Sequence, residues 1–132
     1  MKVGFVIVNY NDFKTTNTLI NNIENYKVID EIVVVDNCST DDSFKRLKKV
    51  RCKKLVVIKN SSNKGYASGL NLGAKHLIDK YGECNIIFSN SDIVIYNESD
   101  LKKLISDLNS NDKYGIVAPI IREHKGESKG WR

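Results

Sequence analysis

The stretch Asn85–Ile95, NIIFSNSDIVI, decides the fold of this chain. Its first half contains the apolar run Ile86–Phe88, which leaves no polar face for water and predicts a buried strand. The run ends in the polar residues Ser89–Asp92, and a second apolar run follows at once. Asp92 would then lie at the carboxyl end of a buried strand, where open α/β sheets bind ligands. A carboxylate there suits a divalent cation carrying phosphate oxygens, although a simple polar turn would use the same residue types.

Strands and helices alternate along the rest of the chain. Further apolar runs predict buried strands at Val3–Val8, Glu31–Val35 and Leu55–Ile58, and a last strand at Ile116–Ile121, where Pro119 argues for an edge or a bend. Helical spacing predicts helices from Asp12, as N-cap, to about Tyr26, around Phe44 and Leu47, from Tyr66 to Tyr81, and around Leu101–Leu108 after a cap at Asn97 or Ser99. The order β-α-β-α-β-α-β-α-β predicts an α/β domain with a mainly parallel sheet and helices on both faces.

Three glycines recur at every fourth residue, at Gly65, Gly69 and Gly73. Two of them fall inside the predicted third helix, where each costs about 1 kcal/mol relative to alanine. Such a cost predicts that the helix backbone lies close to the sheet or to a ligand.

Composition excludes several classes of protein. A chain of 132 residues with 41% hydrophobic and 28% charged residues is typical of one soluble domain, and no apolar run approaches the roughly 20 residues that span a bilayer. The cysteines Cys38, Cys52 and Cys84 form no C-x-x-C pair and complete no zinc pattern with the two histidines, so we expect free thiols in a reducing cytoplasm. The net charge of +5 is dispersed, which we interpret as a solvated surface rather than a nucleic-acid site.

Polar loops follow the first, second and fourth predicted strands, at Asn9–Asp12, Asp36–Asp41 and Ser89–Asp92. The carboxyl ends of parallel strands meet at one edge of a sheet, so these loops predict a nucleotide site at that edge. The loop after the first strand matches neither the G-x-x-x-x-G-K-[ST] pattern of Walker proteins nor the G-x-G-x-x-G pattern of dinucleotide-binding proteins.

Four sequence blocks occur in order at the ends of the predicted elements: Val6–Asn11, Val33–Asp41, Asn63–Gly73 and Phe88–Asp92. Together they resemble glycosyltransferase family 2, and the resemblance covers the chain from about Lys2 to Pro119. The last block falls where that family carries its D-x-D-type metal motif. The variants V-D-N-x-S and N-x-D resemble the rhamnosyltransferase-like branch.

The resemblance implies the GT-A fold, a Rossmann-like, mainly parallel sheet with helices on both faces, over residues 1–121, followed by an irregular basic tail at 122–132. It implies inverting transfer of a sugar from a UDP- or dTDP-linked donor to a saccharide or lipid-linked saccharide acceptor. The expected process is cell-surface polysaccharide synthesis, and the expected location is the cytoplasm, at the inner face of the membrane through peripheral association.

The family also implies roles for the nucleoside side of the site. Asp36 would accept a hydrogen bond from the imide N–H of the base, since a carboxylate is an acceptor only; capping of the next helix is the alternative. Asn9 and Tyr10 would line the nucleoside pocket, although packing at the strand end explains Tyr10 equally well.

The remaining roles concern the diphosphate and the sugar. Asn63, Gly65 and Asn71 would flank the ribose and diphosphate. Asp92 would hold Mg²⁺ or Mn²⁺, which bridges the diphosphate and neutralises the departing nucleotide. Asn90 would be a neutral neighbour of the metal or a contact to the donor sugar.

The sequence departs from the family in three places. Asn90 replaces the first Asp of the common motif, and Leu70 stands where many relatives have Arg. The family's general base lies in a later segment, and neither Glu123 nor Glu127 in the unpatterned tail is assigned to that role. We therefore expect the donor-binding part of a transferase, truncated before the acceptor-binding part.

Two alternatives belong to other functional classes. The first is a non-catalytic nucleotide-binding or protein-assembly module with a GT-A half-fold, for which the missing general base argues. The second is a sugar nucleotidyltransferase, which would require a loop rich in Gly and Arg or Lys after the first strand, where this chain has Asn9–Asp12.

Overall fold

A computed structural model describes residues 1–122 of the chain. Four strands alternate with four helices in this part of the chain, whereas the sequence predicts a fifth strand after the last helix. They are β1 (Val3–Asn9), α1 (Phe13–Ile23), β2 (Glu31–Asp36), α2 (Ser43–Leu47), β3 (Leu55–Lys59), α3 (Tyr66–Tyr81), β4 (Asn85–Ser89) and α4 (Glu98–Asn109). The chain divides into two compact units, Met1–Glu98 and the residues from Ser99 onward.

The first unit is built on a parallel four-stranded sheet with strand order β3-β2-β1-β4. The central strand β1 pairs with β2 in the register Val6↔Val33 and with β4 in the register Val6↔Phe88. Both central strands are almost fully buried, as their continuous apolar runs predict. The predicted parallel α/β architecture is therefore confirmed.

Helix α3 packs on one face of this sheet through its glycines. A Cβ atom on Gly69 would lie 2.8 Å from Val8 Cγ2, and one on Gly73 would lie 2.5 Å from Val6 Cγ1. Real Cβ atoms do not approach carbon so closely, so only glycine lets the helix backbone come this near to β1. The predicted close approach of the helix to the sheet is confirmed.

Helix α1 covers the opposite face of β1. The Thr16 hydroxyl donates a 2.7 Å hydrogen bond to Asn9 Oδ1, and Asn9 points away from α3 because side chains alternate along a strand. The buried residues of α1 are Thr16, Leu19, Ile20 and Ile23. The chain adds β2 and β3 on one side of β1 and then returns to add β4 on the other side. Because crossovers between parallel strands are right-handed, this reversal places α3 on the face opposite to α1.

The predicted last strand is wrong. Residues 115–122 adopt no regular secondary structure, and Ile116 and Ile120 are 89% and 80% exposed. A strand needs a neighbour for its backbone groups, and Pro119 lacks one of the required donors. The sheet over residues 1–122 therefore has four strands, and the tail residues Glu123 and Glu127 lie outside the described part of the chain.

None of the helices within residues 1–122 is long and apolar enough to cross a bilayer.

Candidate functional site

A pocket of about 410 Å³ lies at the carboxyl edge of the sheet. Strand order 3-2-1-4 makes the chain change direction between β1 and β4, and open α/β sheets bind ligands beside such a switch point. The loops after β1, β2 and β4 and the start of α3 form the walls. The lining residues are Val8, Tyr10, Asp12, Asn37, Asn63, Tyr66, Asn90, Ser91 and Asp92.

Asp36 ends β2 beneath this pocket, but its side chain is fully buried and is not among the lining residues. Its Oδ1 atom accepts hydrogen bonds from Asn9 Nδ2 at 2.9 Å and from the Ser39 hydroxyl at 2.6 Å. Its Oδ2 atom accepts from the Ser39 backbone N–H at 3.0 Å. Asp36 therefore holds β1 and the loop after β2 together, and its predicted contact to the base stays a prediction.

The other two residues predicted for the nucleoside side have different environments. Asn9 is 1% exposed, and its amide links Asp36 to Thr16 of α1. Tyr10 is 48% exposed and lines the pocket. Only the tyrosine of this pair therefore presents a side chain to a ligand.

The loops after β1 and β2 are joined by the side chains of Asn11 and Ser39. Asn11 Oδ1 accepts from the backbone N–H of Thr40 at 2.8 Å, and the Asn11 backbone N–H donates to Ser39 Oγ at 2.9 Å. Asn11 and Cys38 have φ angles of 52° and 62°, a left-handed conformation that asparagine tolerates better than most residues. These contacts tie the loop after β1 to the loop after β2.

Asn37 is one of the lining residues to which the sequence analysis assigned no role in the site; the others are Val8, Asp12, Tyr66 and Ser91. Its Nδ2 atom donates to Asn63 Oδ1 and to the Gly65 carbonyl, both at 3.0 Å, and its Oδ1 atom accepts from Asn60 Nδ2 at 2.9 Å. Asn37 thus ties the loop before α3 to the end of β2. Strand alternation could have identified Asn37, because its side chain points to the face of the sheet opposite to that of Asp36.

The loop before α3 supplies Asn63 to the pocket, and α3 supplies its first residue, Tyr66. Gly65 is the N-cap of α3 with φ of 94°, which favours glycine, and its N–H donates to Asn63 Oδ1 at 3.0 Å. Burial, and then the negative charge of Asp92, raise the pKa of Tyr66. Asn71 is exposed on α3 and is not a lining residue.

The loop after β4 supplies the two residues predicted for the metal and the sugar. Asn90 and Asp92 are exposed and line the pocket together with Asp12, which also caps α1 as predicted by accepting from Thr15 N–H at 3.2 Å. The described residues contain no cluster of three or more His, Cys, Asp or Glu that could hold a metal. Magnesium sites commonly use one or two carboxylates and take the remaining ligands from substrate phosphates and water. Two carboxylates and neighbouring amide oxygens therefore fit a metal that arrives with a diphosphate.

One curated relative and several solved structures resemble this chain. The UDP-N-acetylglucosamine–dolichyl-phosphate N-acetylglucosaminyltransferase of Methanococcus voltae is 23% identical over 93% of this chain and 53% of its own length. The structure of S. aureus TarS 1-349 is 28% identical with a TM-score of 0.63, over 82% of this chain and 33% of that one. The chain therefore spans about half and about a third of the lengths of these two proteins.

Two further structures are less than 25% identical and show the fold alone. The mannosyltransferase PcManGT from Pyrobaculum calidifontis, solved with GDP-Man and Mn²⁺, is 19% identical with a TM-score of 0.68, over 82% of this chain and 32% of that one. A 4-diphosphocytidyl-2C-methyl-D-erythritol synthase is 18% identical with a TM-score of 0.69, over 97% of this chain and 66% of that one. The fold is thus shared with a mannosyltransferase and with a synthase.

The family of this chain is identified by its sequence and not by its fold alone. Residues 5–132 match the family described as Glycosyl transferase family 2. This match covers nearly the whole chain and includes every loop that forms the pocket. The chain therefore belongs to glycosyl transferase family 2 and has its GT-A fold.

Proposed function

We propose that the pocket binds a nucleotide diphosphate sugar, together with a divalent metal, as the donor for glycosyl transfer. The observation that carries this proposal is the convergence of Tyr10, Asn63, Asn90 and Asp92 in one pocket at the switch point of the sheet. The names of the relatives support it, because PcManGT was solved with GDP-Man and Mn²⁺ and the M. voltae enzyme is named for a UDP-sugar.

The nucleoside would lie between the loops after β1 and β2 and the start of α3. Tyr10 and Tyr66, which are 48% and 46% exposed, offer ring faces and hydroxyls to a base and ribose. The amides of Asn37 and Asn63 are already oriented by their mutual hydrogen bond. Asp36 would reach the base only through the remaining lone pair of Oδ2, since its other contacts are made within the protein.

The diphosphate would lie at the start of α3. The first N–H groups of a helix lack partners within the helix and attract anions, and Gly65 has no side chain to cap them. Lys64 precedes this N-terminus and is exposed. Asn71 would contact the diphosphate only through its exposed side chain on the same helix.

Asp92 would hold Mg²⁺ or Mn²⁺, with Asn90 as a neutral neighbour or as a contact to the donor sugar. When bound there, a metal would supply positive charge that stabilises the charge developing on the departing nucleotide. Asp36, Asn9 and Ser39 would keep the two loops in register around the nucleoside. The acceptor would be a saccharide or lipid-linked saccharide. The process would be cell-surface polysaccharide synthesis at the cytoplasmic face of a membrane.

Calorimetric titration of this chain with UDP, dTDP and GDP, each with and without Mn²⁺, tests the proposal. We expect binding that Mn²⁺ strengthens, with Asp92→Asn losing the Mn²⁺-dependent part. Asp112→Asn, which changes an exposed carboxylate outside the pocket, should leave binding unchanged. Absence of binding by a folded wild-type chain to all three nucleotides, or equal losses in both variants, would refute the proposed site.

A further inference from the structure

We propose that Asn22 of α1 is a positioning residue for the segment that carries Asn90 and Asp92. Its side-chain amide binds both the backbone N–H and the backbone carbonyl of Ile95. This inference rests on the proposed function of the pocket, because it concerns how the metal-binding segment is held. Asn22 itself lies outside the pocket lining.

The contact has the geometry of a strand pairing made by a side chain. Asn22 Oδ1 accepts from the Ile95 backbone N–H at 2.8 Å, and Asn22 Nδ2 donates to the Ile95 carbonyl at 2.9 Å. The Tyr26 hydroxyl donates to the same carbonyl at 2.6 Å. One residue of the segment thus has its N–H and its C=O bonded to α1 and the turn that follows it, as a neighbouring strand would bond them.

The segment needs such an anchor because it has no secondary structure of its own. Strand β4 ends at Ser89, and residues 90–97 form neither helix nor strand. Ser89 is held by its pairing with Ile7 of β1, and Ile95 is held by Asn22. Asp92 lies midway between these two fixed points, so the anchor at Ile95 limits the free chain around it to residues 90–94.

A second contact follows immediately along the chain. Glu98 Oε1 accepts from the Val28 backbone N–H at 2.7 Å. The segment after β4 is therefore bonded to α1 and to the region after α1 at two places within four residues. Release of the Ile95 anchor would leave Asp92 in a longer loop that closes only at Glu98.

Asparagine is suited to this position because its amide offers one donor and one acceptor. Aspartate keeps the acceptor for the Ile95 N–H but places a carboxylate beside the Ile95 carbonyl. Alanine removes both contacts. Without the anchor, the segment around Asp92 has more backbone freedom, and metal binding must order it again. The entropy lost when one residue is ordered lowers a binding constant about tenfold.

The test compares Asn22→Ala with Asn21→Ala, an exposed asparagine on the same helix. In the chain without ligand, amide ¹⁵N relaxation should show increased motion at residues 90–94 in Asn22→Ala only. In titrations with UDP, Asn22→Ala should weaken binding about tenfold in the presence of Mn²⁺ and less than twofold in its absence. Tyr26→Phe removes one of the three bonds to Ile95 and should show the same effects at reduced size, even if Asn22→Ala folds poorly.

The outcomes separate this inference from the proposed function. A wild-type chain that folds but binds no nucleotide refutes the function and removes the site that Asn22 would serve. A wild-type chain that binds with Mn²⁺ while Asn22→Ala and Tyr26→Phe bind equally well overturns the inference alone. Equal losses with and without Mn²⁺ would also overturn it, because they would reflect general destabilisation.

Discussion

Replacement of Asp36 by asparagine tests whether this carboxylate organises the pocket. Asp36 accepts three hydrogen bonds from Asn9 and Ser39 and is fully buried. An asparagine has nearly the same shape but only one oxygen. If that oxygen takes the place of Oδ1, the new NH₂ group faces the Ser39 backbone N–H. If it takes the place of Oδ2, the NH₂ group faces Asn9 Nδ2.

Either orientation leaves a donor facing a donor. An unsatisfied buried polar group costs about 1–3 kcal/mol, which lowers Tm by roughly 4–12 °C for a domain of this size. Asn9 is 1% exposed, so water cannot replace the lost partner there. Thermal and urea unfolding followed by circular dichroism would measure this loss, with Asp112→Asn as the matched control.

The same variant distinguishes the organising role from a direct contact to the base. If Asp36 only organises the loops, Asp36→Asn should weaken UDP and CDP binding by similar factors. If Asp36 accepts from the base imide, UDP binding should suffer selectively, because cytosine N3 carries no hydrogen to donate. A variant as stable as the wild type would refute the reasoning from the buried hydrogen bonds.

Three further predictions follow from the packing and the electrostatics. In Gly73→Ala, the new Cβ would lie 2.5 Å from Val6 Cγ1. Overpacking costs about 1–3 kcal/mol and should exceed the gain of about 1 kcal/mol in helix propensity, so Tm should fall. A higher Tm would contradict the close packing of α3 on β1. Asn37→Asp would place a carboxylate oxygen 3.0 Å from two acceptors, Asn63 Oδ1 and the Gly65 carbonyl. This repulsion should lower the free energy of unfolding by about 1–3 kcal/mol and should weaken UDP binding in calorimetry. Unchanged affinity would exclude Asn37 from the site. Burial raises the pKa of Glu31, but hydrogen bonds from Lys80, Tyr81 and His76 outweigh it and hold that pKa below its usual 4.5, so this stabilisation is present at neutral pH and is lost as pH falls from about 4.5 through the lower folded pKa. Glu31→Gln should therefore lower Tm at pH 7, and the difference from the wild type should shrink in melts below pH 4.5; a difference independent of pH would contradict this sign.

Local sequence patterns predicted most of the fold because burial and periodicity are local properties. The apolar runs located the four strands within one residue at their ends, and the Asp12 cap located α1. The spacing of Gly69 and Gly73 predicted the close packing on β1. Ile116–Ile121 shows the limit, because an apolar run becomes a strand only when a neighbouring strand accepts it.

The site was less predictable because several of its contacts join distant parts of the chain. Tyr10, Asn63, Asn90 and Asp92 line one pocket, and the roles that the motifs suggest for them stay predictions. Whether Asp36 or Asn37 faces the pocket depends on where the strand ends, and sequence fixes that only to within a residue or two. The contact between Asn22 and Ile95 spans 73 positions and has no local signature.

An amide NMR titration of the ¹⁵N-labelled chain with UDP and Mg²⁺ tests the central claim most directly. The proposed site predicts saturable shifts at Tyr10, Asn37, Asn63, Tyr66 and Asp92, with the Asp92 shifts absent when Mg²⁺ is omitted. The groove that contains Lys49 and Arg51, between α1 and the loop after α2, serves as an internal control and should not respond. Shifts confined to that groove, or no saturable shifts at the carboxyl edge of the sheet with UDP, dTDP or GDP, would contradict the account.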